Sequence, residues 1–184
     1  MVSKIPISLT YFRILIIPFF VFVFFIPGET GRWLSCSLFT LAAFTDYLDG
    51  KLARSLNEES RLGALLDPIA DKIIVAVALM LLIHNETIKD TTLLAALIII
   101  GREILVSGLR EFLASLQLSL PVSSLSKAKT FIQMFSLSVL LSGEPGNLFL
   151  FGYGKDIGLF LLWLSAIITL YTGYKYLRKG LKHV

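Results

Sequence analysis

Six apolar stretches dominate the chain: roughly Leu9–Ile26, Trp33–Leu52, Ala64–Ile83, Thr91–Leu109, Ala128–Ser142 and Ile157–Leu177. Chain breakers separate them at Pro27-Gly28, His84-Asn85, Pro121, Gly143–Gly146 and Gly152–Gly154. A helix needs about 20 apolar residues to cross the hydrocarbon core, and several of these stretches reach that only with their flanks. Lipid offers no water to pair open backbone, so helices are expected even where Phe and Ile dominate. The composition agrees, with 55% hydrophobic and only 16% charged residues among 184. It disfavours a disordered tail and an ordinary soluble globule. The expected fold is therefore all-α and integral to a membrane, one domain over residues 1–184, with six transmembrane helices.

The lone cysteine, Cys36, excludes an intrachain disulfide and a cysteine metal cluster. Lys4 and Arg13 ahead of Ile14–Ile26 resemble the start of a signal peptide. No small-residue cleavage site follows and further apolar segments do, so the stretch reads as a retained first span. Just before it, Ile5, Leu9 and Phe12 share one helical face. That segment is either an interfacial helix on the membrane surface or an irregular start.

Six spans put both termini on one side. If that side is cytoplasmic, eleven basic residues lie there: Lys4, then Lys51, Arg54 and Arg61, then Arg110, Lys127 and Lys129, then Lys175, Arg178, Lys179 and Lys182. The opposite loops hold three: Arg32, Lys89 and Lys155. Positive residues gather on the cytoplasmic face, and this asymmetry fixes the expected orientation. It also accounts for the net charge of +4 without a nucleic-acid partner.

Four aspartates stand where lipid is expected. Asp46 and Asp49 lie three apart near the end of the second span, and Asp67 and Asp71 four apart near the start of the third. Each pair occupies one helical face, and a short connection makes the two helices antiparallel neighbours. Carboxylates this close must be protonated or share cations. Hard divalent cations with oxygen ligands answer the need, and two Mg²⁺ or Mn²⁺ ions fit the ligand count. Such a pair suits phosphoryl transfer. Solvated helix ends and a cation-coupled transporter are the competing readings. Gly50 and Gly63 either clear a path for a ligand to the backbone or let helices pack closely.

The block Asp46-x-x-Asp49-Gly50-x-x-Ala53-Arg54, then eight residues, then Gly63-x-x-x-Asp67-x-x-x-Asp71, resembles the CDP-alcohol phosphotransferase family at eight fixed positions over 26 residues. The resemblance implies a six-helix membrane domain, usually a homodimer, and a dimetal site at the cytoplasmic interface. It implies transfer of a phosphatidyl group from a CDP-linked lipid to an alcohol, with release of CMP. It assigns the ions to Asp46, Asp49, Asp67 and Asp71, the CDP pocket to Asp49, Gly50, Ala53, Arg54 and Gly63, and the base to Asp71.

Gly101-Arg102-Glu103 through Arg110-Glu111, Val122 through Lys127-Ala128-Lys129-Thr130, and Ile5-Pro6 through Arg13-Ile14 are similar to the bacterial phosphatidylglycerophosphate synthase branch. That branch implies CDP-diacylglycerol as donor, glycerol 3-phosphate as acceptor and a bacterial inner membrane. Two positions depart from it: Ile7 stands where Asn is usual, and Ser126 where Gly is expected. Arg102 and Arg110, eight apart, are read as one face of a basic pocket with Lys127 and Lys129, suited to an anionic acceptor. Positive-inside topology with Arg–Glu pairing is the alternative. Serine, inositol phosphate or phosphatidylglycerol remain alternative acceptors. Gly154 and Gly158 have the small-xxx-small spacing of a helix-dimer motif.

Overall fold

The computed structural model describes residues 5–56, 61–117 and 124–180, without the side chains of residues 5–13, 46–56, 61–65 and 67. Among the described residues the chain is all-helical: α1 (Ile5–Phe24), α2 (Glu29–Leu56), α3 (Arg61–His84), α4 (Thr92–Ser115), α5 (Ser124–Leu141), α6 (Gly143–Phe149) and α7 (Gly154–Gly180). Each apolar stretch became a helix, and most helices run past the apolar boundary. The segment read as either an interfacial helix or an irregular start forms the first turns of α1. α6 was not anticipated, because Gly143–Gly146 read as a break. Gly143 does turn the chain, at φ +60°, but it is itself the first of seven helical residues.

The turns between helices rest on local chemistry. Gly28 takes φ +88° between α1 and α2. After α3, the Asn85 side chain accepts a hydrogen bond from the Thr87 amide at 3.1 Å. The Thr92 hydroxyl accepts one from the Lys89 amide at 2.9 Å, holding the chain as α4 starts.

Helix directions follow from the contacts. Arg102 abuts Gly173, and seven residues further along both helices Leu109 abuts Gly180, so α4 and α7 run parallel. α5 runs against them: Lys129, near its start, reaches Glu103, while Leu140, near its end, abuts Gly158. α5 touches α2 and α3 as well as α7 and so forms a shared wall through the bundle. Its packing against α2 includes Thr40 Oγ1 donating to Ser138 Oγ at 3.0 Å.

The core is built from Phe20, Phe39, Leu79, Leu82, Ile99, Leu137, Leu141 and Leu162. Many large apolar side chains point outward instead, among them Phe19, Phe22, Ile104, Phe131, Phe160 and Ile167. A bundle in water would not expose so much apolar surface on so many helices. α4 and α7 are each long and apolar enough to cross a membrane.

The small-xxx-small pair is not an outward-facing dimer motif. Gly154 and Gly158 are both buried within the chain. A Cβ at Gly158 would sit 2.6 Å from Leu140 Cδ2, and one at Gly154 would sit 2.8 Å from Asn147 Cα. These glycines let α7 close on α5 and α6, and Ser136 Oγ donates to the Gly158 carbonyl at 2.7 Å.

Candidate active site

Two groups of residues gather toward the end of the bundle where α3 and α5 begin and α2, α4 and α7 end. The first is the acidic block. Asp46, Asp49, Gly50, Ala53 and Arg54 lie on α2, and Gly63, Asp67 and Asp71 on α3. The connection is shorter than the spacing suggested, because α2 continues to Leu56 and α3 starts at Arg61. The side chains of Asp46, Asp49, Ala53, Arg54 and Asp67, and the surroundings of Gly50 and Gly63, lie outside the described residues. Asp71 is described and half-buried. Beside it, Lys72 Nζ donates to the Pro68 carbonyl one turn back, at 2.6 Å.

The donor set of this block is four carboxylates on two consecutive helices, with no thiol or imidazole among them. Its chemistry fits a hard divalent cation.

The second group lies between α4, α5 and α7. Arg102 Nη2 donates to Thr172 Oγ1 at 3.1 Å, and Nη1 donates to Glu103 Oε1 at 3.3 Å. The Arg102 guanidinium also lies over the Tyr176 ring, 5.8 Å from its centroid. Lys129, only 4% exposed, donates from Nζ to that same Glu103 oxygen. Arg110 and Lys127 are exposed. The structure thus brings two of the four expected acceptor cations together and leaves two at the surface.

Helix geometry explains the split. Eight residues at 3.6 per turn leave Arg110 about 80° around α4 from Arg102. Leu109, seven residues on, takes the position facing α7, against Gly180. The expectation that Arg102 and Arg110 share one setting is corrected accordingly. Lys127 and Lys129, two apart on α5, take nearly opposite faces for the same reason.

The chain's likeness to known proteins is extensive. The profile of the CDP-alcohol phosphatidyltransferase family matches residues 3–171. The chain belongs to this family. The CDP-diacylglycerol–glycerol-3-phosphate 3-phosphatidyltransferase of Rickettsia felis is 40% identical over 181 residues, covering 98% of this chain and 97% of that protein. The protein of the same name from Pseudomonas fluorescens is 42% identical over 184 residues, covering 98% and 92%. That from Haemophilus influenzae is 40% identical over 178 residues, covering 95% and 92%.

Membership in the CDP-alcohol phosphatidyltransferases removes the transporter reading of the acidic block. The packing around Arg102 directs attention to α7, to which sequence reasoning assigned no acceptor-site residue. α7 supplies Thr172, Gly173 and Tyr176 around Arg102. Gly173 gives Arg102 room: a Cβ there would meet Arg102 Cγ at 2.9 Å, so a residue larger than Gly would press on the arginine.

Proposed function

We propose that this chain transfers the phosphatidyl group of CDP-diacylglycerol to glycerol 3-phosphate, giving phosphatidylglycerophosphate and CMP. The observation that carries the reading is about 40% identity, over nearly the whole chain, to transferases named for that reaction. The intact acidic block, with all eight fixed positions present, supports it.

Asp46, Asp49, Asp67 and Asp71 would hold two Mg²⁺ or Mn²⁺ ions. When bound, the ions offset the negative charge of the diphosphate and of the departing CMP. Gly50, Ala53, Arg54 and Gly63, with Asp49, line the CDP pocket. The acceptor hydroxyl oxygen attacks the phosphorus that carries the diacylglycerol. The bond from that phosphorus to the CMP oxygen breaks, and Asp71 takes the hydroxyl proton. Arg102 and Lys129 bind the acceptor phosphate from the bundle side, and Arg110 and Lys127 attract it from the surface.

In this reading α1 to α5 and α7 are six transmembrane helices, and seven-residue α6, about 10 Å long, is too short to cross. The active site and both termini face the cytoplasm of a bacterial inner membrane, as the basic residues favour. The family resemblance favours a homodimer.

The test is CMP release by purified protein given CDP-diacylglycerol and a panel of acceptors. Release is expected with glycerol 3-phosphate. Release with serine, inositol phosphate or phosphatidylglycerol in its place would make the chain a sibling enzyme.

A further inference from the structure

We propose that Glu103 is the positioning residue of the acceptor pocket, setting the places of Arg102 and Lys129 without touching the substrate. The inference rests on the function proposed above and on three features of the cluster.

One carboxylate oxygen, Glu103 Oε1, accepts from both cations, on two helices. Glu103 therefore fixes where the Lys129 ammonium lies relative to the Arg102 guanidinium. Without the carboxylate, two like charges would face each other between α4 and α5.

Among the described residues the cluster is not neutral. Two cations and one carboxylate leave one unit of positive charge in a place where Lys129 is 4% exposed and the Arg102 side chain 11% exposed. A Lys129–Glu103 pair alone would have linked the two helices without surplus charge. Burying a surplus charge is costly unless an anion completes the site.

Hydrogen-bonding capacity is also left over. Arg102 Nε is buried without a hydrogen-bond partner among the described residues. So is Gln133 Oε1, one turn beyond Lys129 on α5. A purely structural cluster would satisfy these groups internally. Here Arg102 keeps an N–H to offer, and a phosphate oxygen is a suitable acceptor.

A double-mutant cycle tests the inference, with KM for each substrate, kcat and melting temperature measured for Glu103→Gln, Lys129→Gln and the double variant. If Glu103 acts through Lys129, Glu103→Gln raises the glycerol 3-phosphate KM at least about 10-fold, the worth of one charge-assisted contact. The CDP-diacylglycerol KM stays within about twofold, and the double variant is no worse than Lys129→Gln alone. Glu103→Asp, which keeps the charge, recovers part of the loss; it also carries the test if Glu103→Gln fails to insert. Additive losses, or a lowered melting temperature with unchanged acceptor KM, would overturn the positioning role. A wild type that ignores glycerol 3-phosphate would overturn the proposed function, and this inference with it.

Discussion

Replacing Gly158 by Ala sets two opposing effects against each other. Alanine improves helix propensity by about 0.8–1 kcal/mol over glycine. The added Cβ, however, would lie 2.6 Å from Leu140 Cδ2 and 2.7 Å from its Cγ. Leu140 is 2% exposed and enclosed by the core, so it has little room to swing away. Overpacking of this kind costs about 1–3 kcal/mol. If α5 and α7 separate to relieve it, the 2.7 Å bond from Ser136 to the Gly158 carbonyl weakens too, at about 1 kcal/mol. The expected net is a destabilisation of about 1–3 kcal/mol. At this chain length that is a melting temperature lower by roughly 2–4 °C for each kcal/mol. Gly101→Ala is the matched control, because a Cβ there meets nothing within 4 Å. It should be neutral or slightly stabilising. Both are read by thermal unfolding in one detergent. A Gly158→Ala protein that melts with or above wild type would refute the reasoning and return Gly154 and Gly158 to consideration as a dimer surface.

Turnover should require a divalent ion, and Ala at Asp46, Asp49, Asp67 or Asp71 should abolish it or nearly so; substantial CMP release in EDTA would sink the dimetal reading. For topology, a single cysteine at Ser55 on a Cys36→Ser background should resist labelling from outside intact cells, and labelling from outside would invert the proposed orientation.

The placement of the four aspartates on two consecutive helices was legible, because i, i+3 and i, i+4 carboxylates within apolar stretches need no tertiary information. Helix number was nearly legible for the same reason. Helix length was not, because hydropathy marks where apolar residues stop, whereas α2 continues through the polar segment to Leu56. The proposed acceptor pocket was legible only in part. Sequence spacing picked out four cations, but burial depends on helix phase and on the opposing helix. Leu109, not Arg110, faces α7, and Lys129, not Lys127, turns inward. Thr172 and Tyr176 are ordinary residue types in an apolar helix, so only the fold reveals that they flank Arg102.

That division of the cations has a measurable consequence. Arg110 and Lys127 are exposed, so their attraction for a dianionic acceptor passes through water and is screened by salt. Arg102 and Lys129 are held in a mostly buried cluster, where screening is weaker. Arg110→Ala or Lys127→Ala should therefore raise the glycerol 3-phosphate KM only modestly, roughly two- to fivefold, as for exposed ion pairs. Loss of Lys129 should raise it at least about 10-fold. Ionic strength separates the two modes of action. Raising salt from about 0.1 M to 1 M shortens the screening length from about 10 Å to about 3 Å. In wild type the acceptor KM should climb over that range. Arg110→Ala should flatten the climb, because the screened contribution is already gone, whereas Lys129→Gln should leave its slope nearly intact from a higher starting value. Equal slopes in both variants would mean that the cations act as one set, and that helix phase, although it divides them in space, does not divide their work.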